Sequence, residues 1–269
     1  MIHITCDLLQ APLLGNALTF AFDKSTTEGK ITIGLLVVVS MLSWTVMITK
    51  GRQLFKALRM SKQFFAAYRA TRDPMDLFRS KKEFDGAPAF EVYHDGCEEL
   101  AYHLEKNPAK IKGEIRISNA SFDSVKVSME RAVSAQGMSL EKGMIILSTA
   151  VAGGPFIGLL GTVWGVMETF SGVAIAKAAS LTAMAPGVAG ALIATVVGLF
   201  VAIPAMFAYN YMVTTIRAIT QELDNYATEL VTAMEHIYVD NRPMSEEIAD
   251  ALRSLQAENR ANQSSQSQA

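Results

Sequence analysis

Apolar and polar residues in this chain of 269 residues fall into long blocks rather than an even alternation. Ile31–Thr49 is 19 residues without a charge, Gly143–Met167 carries none, and Ala178–Ile216 is uncharged over 39 residues. About 20 helical residues cross about 30 Å of hydrocarbon, so each block is long enough to span a bilayer. The blocks predict three spans, at 30–49, 143–169 and 181–212, the last two joined by a short loop at 170–180 into a hairpin. The third block exceeds one crossing, so its helix is expected to project from the membrane through 213–242, past Arg217, Leu223, Tyr226, Leu230 and Met234.

Between the first two spans, residues 50–142 mix charges with apolar positions at helical spacing. Leu54, Phe55, Leu58, Phe64, Phe65 and Tyr68 predict that the first span continues as an amphipathic helix until Asp73-Pro74 breaks it. A second helix is expected from Pro88 through Val92, Leu100 and Leu104 to Asn107-Pro108. A third runs from Asn119 through Phe122, Val125, Met129 and Val133 and leads into the second span. At the start, residues 1–29 lack the basic n-region and cleavage pattern of a signal peptide. Within them Asp7–Phe22 is apolar but interrupted by Pro12, Gly15 and Asn16, which reads as an interfacial helix. Residues 243–269 turn polar and end in ANQSSQSQA, the composition of a largely disordered tail. The fold class expected is an all-α integral membrane protein with three transmembrane helices and long helices extending into the cytoplasm.

The second and third spans differ from ordinary lipid-facing helices in composition. Gly154, Gly158, Gly161 and Gly165 fall within about 60° of each other at about 100° per residue. Gly187, Ala191, Thr195, Gly198, Ala202 and Ala205 share a face of the third span in the same way. Lipid supplies little hydrophobic drive between helices, so stripes of small residues serve close backbone approach. Thr162 stands beside the first stripe and Thr195 on the second, both near mid-membrane. Such a hydroxyl commonly bonds back to its own helix. Two of them on packing faces at similar depth could also flank a polar path, with Ser148 a third candidate nearer the cytoplasmic end.

Charge adds orientation. Lys50, Arg52, Lys56, Arg59 and Lys62 follow the first span directly and predict, by the positive-inside rule, an outside N-terminus, a cytoplasmic 50–142 and an inside C-terminus. The net charge of −2 conceals segregation: 17 Lys/Arg against 13 Asp/Glu in 50–142, and 4 against 9 in 213–269. No single basic face results, so nucleic acid is not an expected partner. Cys6 and Cys97 flank the first span and should lie on opposite sides of the membrane, unable to pair. His94 and His103 are nine apart, on nearly opposite helix faces, and read as surface histidines rather than a metal pair. No nucleophile–base pair, nucleotide loop or metal motif is present, so neither an enzyme nor a cofactor or metal is expected.

GLLGTVWGVMETF (158–170) and APGVAGALIATVVGLFVAIPAMFAYNY (185–211) together resemble the ExbB/TolQ/MotA proton-channel family, in its ExbB and TolQ branch. The resemblance implies a homo-oligomeric ring, commonly a pentamer, in the bacterial inner membrane. The ring surrounds a single-span partner resembling ExbD or TolR, whose membrane aspartate takes the proton. A TonB- or TolA-like protein then receives the work. Carried onto this chain, Thr162 and Thr195 match the pore-lining threonines. The transported ion implied is a proton, with sodium left open by two hydroxyls alone. One departure stands out: Gly190 occupies a position where several members carry Glu. Among the span residues only Glu168, near the outer rim, is acidic, so a proton-binding acid must come from a partner. The same departure favours an alternative, a non-conducting scaffold that assembles envelope proteins.

Overall fold

The computed structural model describes residues 27–106, 109–111, 114–176, 181–239 and 256. The Asp7–Phe22 helix, Cys6, residues 177–180 of the hairpin loop and nearly all of the 243–269 tail lie outside the described residues. Helices run over Thr27–Tyr68 (α1), Asp76–Arg79 (α2), Pro88–Lys106 (α3), Asn119–Glu141 (α4), Met144–Ala176 (α5) and Leu181–Tyr238 (α6). A two-stranded ribbon, Ala109–Ile111 (β1) and Glu114–Arg116 (β2), lies between α3 and α4. α1, α5 and α6 are each long and apolar enough to cross a membrane. The chain divides into two compact units: one of residues up to Arg59 with Gly137–Thr220, and one of Met60–Gln136 with Gln221 onward. They are called here the span unit and the aromatic unit.

In the span unit, α1 buries one narrow stripe, and over 31–49 the surface left outside that stripe is mostly apolar. Gly29, Thr32, Ile33, Leu36, Ser43 and Leu54 are buried, whereas Leu35, Val38, Met41, Leu42, Trp44 and Ile48 are more than half exposed. α4 ends where Gly143 takes φ +88°, the left-handed conformation that stops a helix at little steric cost in glycine. Lys50 closes that break, its Nζ donating to Ser139 O at 3.3 Å and Leu140 O at 3.2 Å. A cation is well placed on the unpaired carbonyls of a helix C-terminus. The helix-to-span junction predicted at 142/143 therefore has a definite physical basis. α5 then runs on through Phe170–Ala176, residues expected to begin the loop. That stretch holds no proline and a single glycine, Gly172, so nothing in it ends the helix.

In the aromatic unit, Phe64 is fully buried and meets six rings: Phe65, Tyr68, Phe84, Phe90, Tyr93 and Tyr226, at centroid distances of 5.4–6.0 Å. Edge-on and tilted pairs at such distances add to the hydrophobic gain of burial. Local signals place the elements. Pro88 opens α3 at a position where its missing N–H is not needed, and Gly86, with φ +83°, makes the preceding turn. Ser118 caps α4, its Oγ accepting from the Ser121 N–H at 3.2 Å.

Two expectations change here. The stretch 50–142 is not wholly helical: β1 pairs antiparallel with β2, Ala109 opposite Arg116 and Ile111 opposite Glu114. The alternation Ile111, Ile115, Ile117 is a period-two pattern, and Ile117 goes on to bridge Val239 in parallel. Nor is His103 a surface residue. Its side chain is only 12% exposed, with Nε2 3.3 Å from Glu99 Oε1.

Candidate functional site: the small-residue seam of the spans

The stripes of α5 and α6 meet face to face, antiparallel. A methyl group built on Gly158 would lie 2.8 Å from Ala194 O and 2.9 Å from Thr195 Cα. On Gly154 it would meet Gly198 O at 3.1 Å and Ala202 Cβ at 3.2 Å, and on Gly165 Ala191 Cβ at 2.8 Å. Gly198 faces Gly154, and Gly187 faces Thr169. Several of these neighbours are backbone atoms, which cannot swing aside as a side chain can. The seam therefore depends on glycine at these positions for the approach itself, the arrangement that small stripes permit in lipid. The large side chains turn outward. Phe156, Leu160, Val163, Val196 and Phe200 are all more than half exposed.

Thr162 and Thr195 are brought together within this seam. Thr162 is buried and donates to Leu159 O at 2.7 Å. Its Oγ1 accepts from the Thr195 hydroxyl at 3.4 Å. The back-bond uses the Thr162 proton and the contact with Thr162 uses that of Thr195, so the pair presents spare oxygen lone pairs, and the longer Thr195 bond is the one whose O–H can turn to another acceptor. Two neutral hydroxyls can orient a water or hydrogen-bond an acid, but neither can store a proton at ordinary pH. Gly190 is buried in the same helix, and Glu168 is exposed.

Ser148 stands apart. It lies 14 residues before Thr162, roughly 21 Å at about 1.5 Å per residue, and donates to Ile145 O at 2.9 Å. It lines a cavity at the end of the spans where Lys50 and Gly143 meet.

Sequence reasoning missed two hydroxyls on α1. Thr32 is buried, donates to Gly29 O at 2.8 Å, and would lie 2.8 Å from a methyl group built on Gly161. It makes α1 the third wall of the seam beside Thr162. Ser43 is 2% exposed, and its hydroxyl has no hydrogen-bond partner among the described residues. In a helix apolar all round, hydrophobicity does not say which face is inward. The only signal was the spacing of Thr32, Ser43 and Lys50, which falls on one side of the helix.

Outside the seam, chemistry-bearing groups are few among the described residues. Burial pushes the Cys97 thiol up to about 12, leaving it inert. His94, Asp95 and Glu98 set three donor atoms within 4.8 Å of one another on the surface of α3, a geometry within reach of a cation that the sequence reading did not single out.

Three long apolar helices and a seam of glycines and hydroxyls define the class: a multi-pass helical membrane protein. Residues 97–225 match the MotA/TolQ/ExbB proton channel family. The chain is 34% identical over 219 residues to the Tol-Pal system protein TolQ of Haemophilus influenzae, covering 79% of this chain and 91% of that protein. It is 31% identical to the biopolymer transport protein ExbB of Pseudomonas putida, over 75% of this chain and 58% of that protein. The Tol-Pal system protein TolQ of Pseudomonas aeruginosa is 33% identical over 65% of this chain and 74% of its own length. The chain belongs to the MotA/TolQ/ExbB proton channel family, in its ExbB/TolQ branch.

Proposed function

We propose that this chain is the ring-forming subunit of a proton-driven motor in a bacterial inner membrane. The ring surrounds a single-span ExbD/TolR-like partner and passes work to the cell envelope through a TonB/TolA-like protein. The observation that carries the reading is the Thr162–Thr195 pair, held in a glycine seam with no acid of its own. Such a pair fits a partner that brings the acid. The partner's carboxyl would accept the Thr195 O–H when ionised and lose that bond's advantage on protonation, so its position against the seam would depend on its charge. One charge moving through about 100 mV releases about 2.3 kcal/mol, the work available per proton. The role is coupling, not catalysis.

Thr195→Val keeps the shape and removes the donor. It is expected to abolish proton-coupled work while ring mass and partner retention stay unchanged. Full activity in that variant would remove Thr195 from the mechanism. The scaffold reading draws on Gly190 at the position where the family resemblance implies a Glu in several members. It predicts that function survives collapse of the proton gradient, the opposite of the motor.

A further inference from the structure

A cavity of about 300 Å³ in the span unit is built from one face of the α4–α5 junction and one face of α6. Glu141, Ser148, Tyr209 and Arg217 supply its polar groups, and Met144 and Ile216, both buried, form its apolar floor. Its depth in the bilayer follows from the charge pattern. Glu141 and Lys142 are the last charges before the uncharged run at 143–167, and Arg217 is the first after the run at 178–216. Against the spans at 143–169 and 181–212, Glu141 lies two residues and Arg217 five residues outside, about 3 Å and about 8 Å at about 1.5 Å per residue. That puts both charges in the headgroup layer and the Ser148 and Tyr209 hydroxyls just inside the spans. Glu141 and Arg217 form no salt bridge with each other or with any other described residue.

We infer that this cavity binds the headgroup of a zwitterionic phospholipid with a primary ammonium, phosphatidylethanolamine. The guanidinium of Arg217 suits a phosphate, which it can hold with two parallel N–H donors. The Glu141 carboxylate suits an ammonium that donates N–H bonds. It would repel the net charge of an acidic headgroup, and it gains no hydrogen bond from the quaternary ammonium of phosphatidylcholine. The two hydroxyls sit at the depth of the glycerol esters, and the apolar floor continues along the acyl chains. The assignment rests on the boundary position of the cavity and not on proton coupling.

The test is native mass spectrometry of the full chain released from nanodiscs containing equal phosphatidylethanolamine and phosphatidylcholine. Wild type is expected to retain phosphatidylethanolamine over phosphatidylcholine by about tenfold, the scale of one charge-assisted hydrogen bond. Arg217→Gln and Glu141→Gln should each erase that preference with the oligomer mass unchanged, and Tyr209→Phe should reduce it less. Glycerophosphoethanolamine, the headgroup without chains, should fail to compete. Equal retention of the two lipids, or a preference that survives both charge variants, would overturn the assignment. Competition by the soluble headgroup would replace it with a small-zwitterion site. Variants that change oligomer mass while the lipid pattern holds would show that a second copy of the chain covers the cavity.

Discussion

The span unit and the aromatic unit bury their helices by opposite means. In the span unit the contact residues are the smallest available, Gly154, Gly158, Gly161 and Gly165 against Ala191, Ala194, Gly198 and Ala202, and the large side chains face outward. In the aromatic unit the largest residues are innermost, with Phe64, Tyr93 and Phe122 fully buried. The difference follows from the solvent. Water rewards burial of large apolar surface. Lipid does not, so in the bilayer dispersion and close backbone approach are what remain to be optimised. Polar groups divide likewise. In the seam the Thr32 and Thr162 hydroxyls bond back to their own helices and Thr195 bonds to Thr162, whereas the aromatic unit carries a charged node on its flank. There the Tyr238 hydroxyl donates to Asp73 Oδ1 at 2.6 Å, and Arg79 donates to Asp73 Oδ2 at 2.7 Å.

The largest expected effect is Phe64→Ala. Removing a ring that meets six others should cost the aromatic unit about 3–5 kcal/mol. Labelling of the buried Cys97 by a maleimide checks it: slow in wild type, fast in the variant. In the span unit the sensitive change runs the other way, from small to larger. Gly158→Ala forces a methyl group against the Ala194 carbonyl and should destabilise by about 1–3 kcal/mol. Gly153→Ala and Gly172→Ala, where nothing lies within 4 Å, should leave thermal stability in detergent unchanged or slightly raised. Equal effects at all three glycines would erase the distinction between seam and outer face.

A smaller effect is expected at the charged node. Burial alone would raise the Asp73 carboxyl, but hydrogen bonds from Tyr238, the Met75 N–H and Arg79 outweigh it and hold the group below its ordinary 3.8. A depressed carboxyl stabilises the fold above its unfolded value and loses that contribution as pH falls through the folded one. Tyr238→Phe should therefore cost about 1 kcal/mol near neutrality, allowing for partial solvent screening. The difference from wild type should begin to shrink near pH 3.8 and vanish only once the pH is below the depressed folded value; a difference that persisted in stronger acid would assign the loss to packing. The smallest effect belongs to Ser43→Ala, which removes a buried hydroxyl that makes no hydrogen bond. Stability should hold or rise slightly, since an unpartnered buried polar group is a cost.

How much could be read in advance varied with the kind of signal. The glycine and alanine stripes were legible because a 3.6-residue period puts named positions on one face, and both faces are required for the seam. Thr162 and Thr195 were legible as candidates for the same reason. Their contact, and the 21 Å that separates Ser148 from them by about 1.5 Å per residue, needed the helices set side by side. In α1 the expected stripe was only partly right. Leu54 and Phe64 are buried, but Phe55 is 69% exposed and Leu58 42%. Ala57 and Ser61, less hydrophobic than either, take the inner positions. The β1–β2 ribbon was passed over because three-residue strands carry too little pattern to stand out within a helical stretch.

By itself, the sequence determined the three spans, the seam-forming faces and the boundaries at Pro88, Asn119 and Gly143. These are local consequences of hydrophobic length, helical period and backbone freedom. Only the tertiary structure decided which apolar face of α1 is inward, that Thr32 abuts Gly161, and that Lys50 caps α4. It alone set Glu141 and Arg217 around one cavity. Those facts depend on pairs of residues far apart in the chain. In a span that is apolar on every side, no local preference distinguishes them until another helix is packed against it.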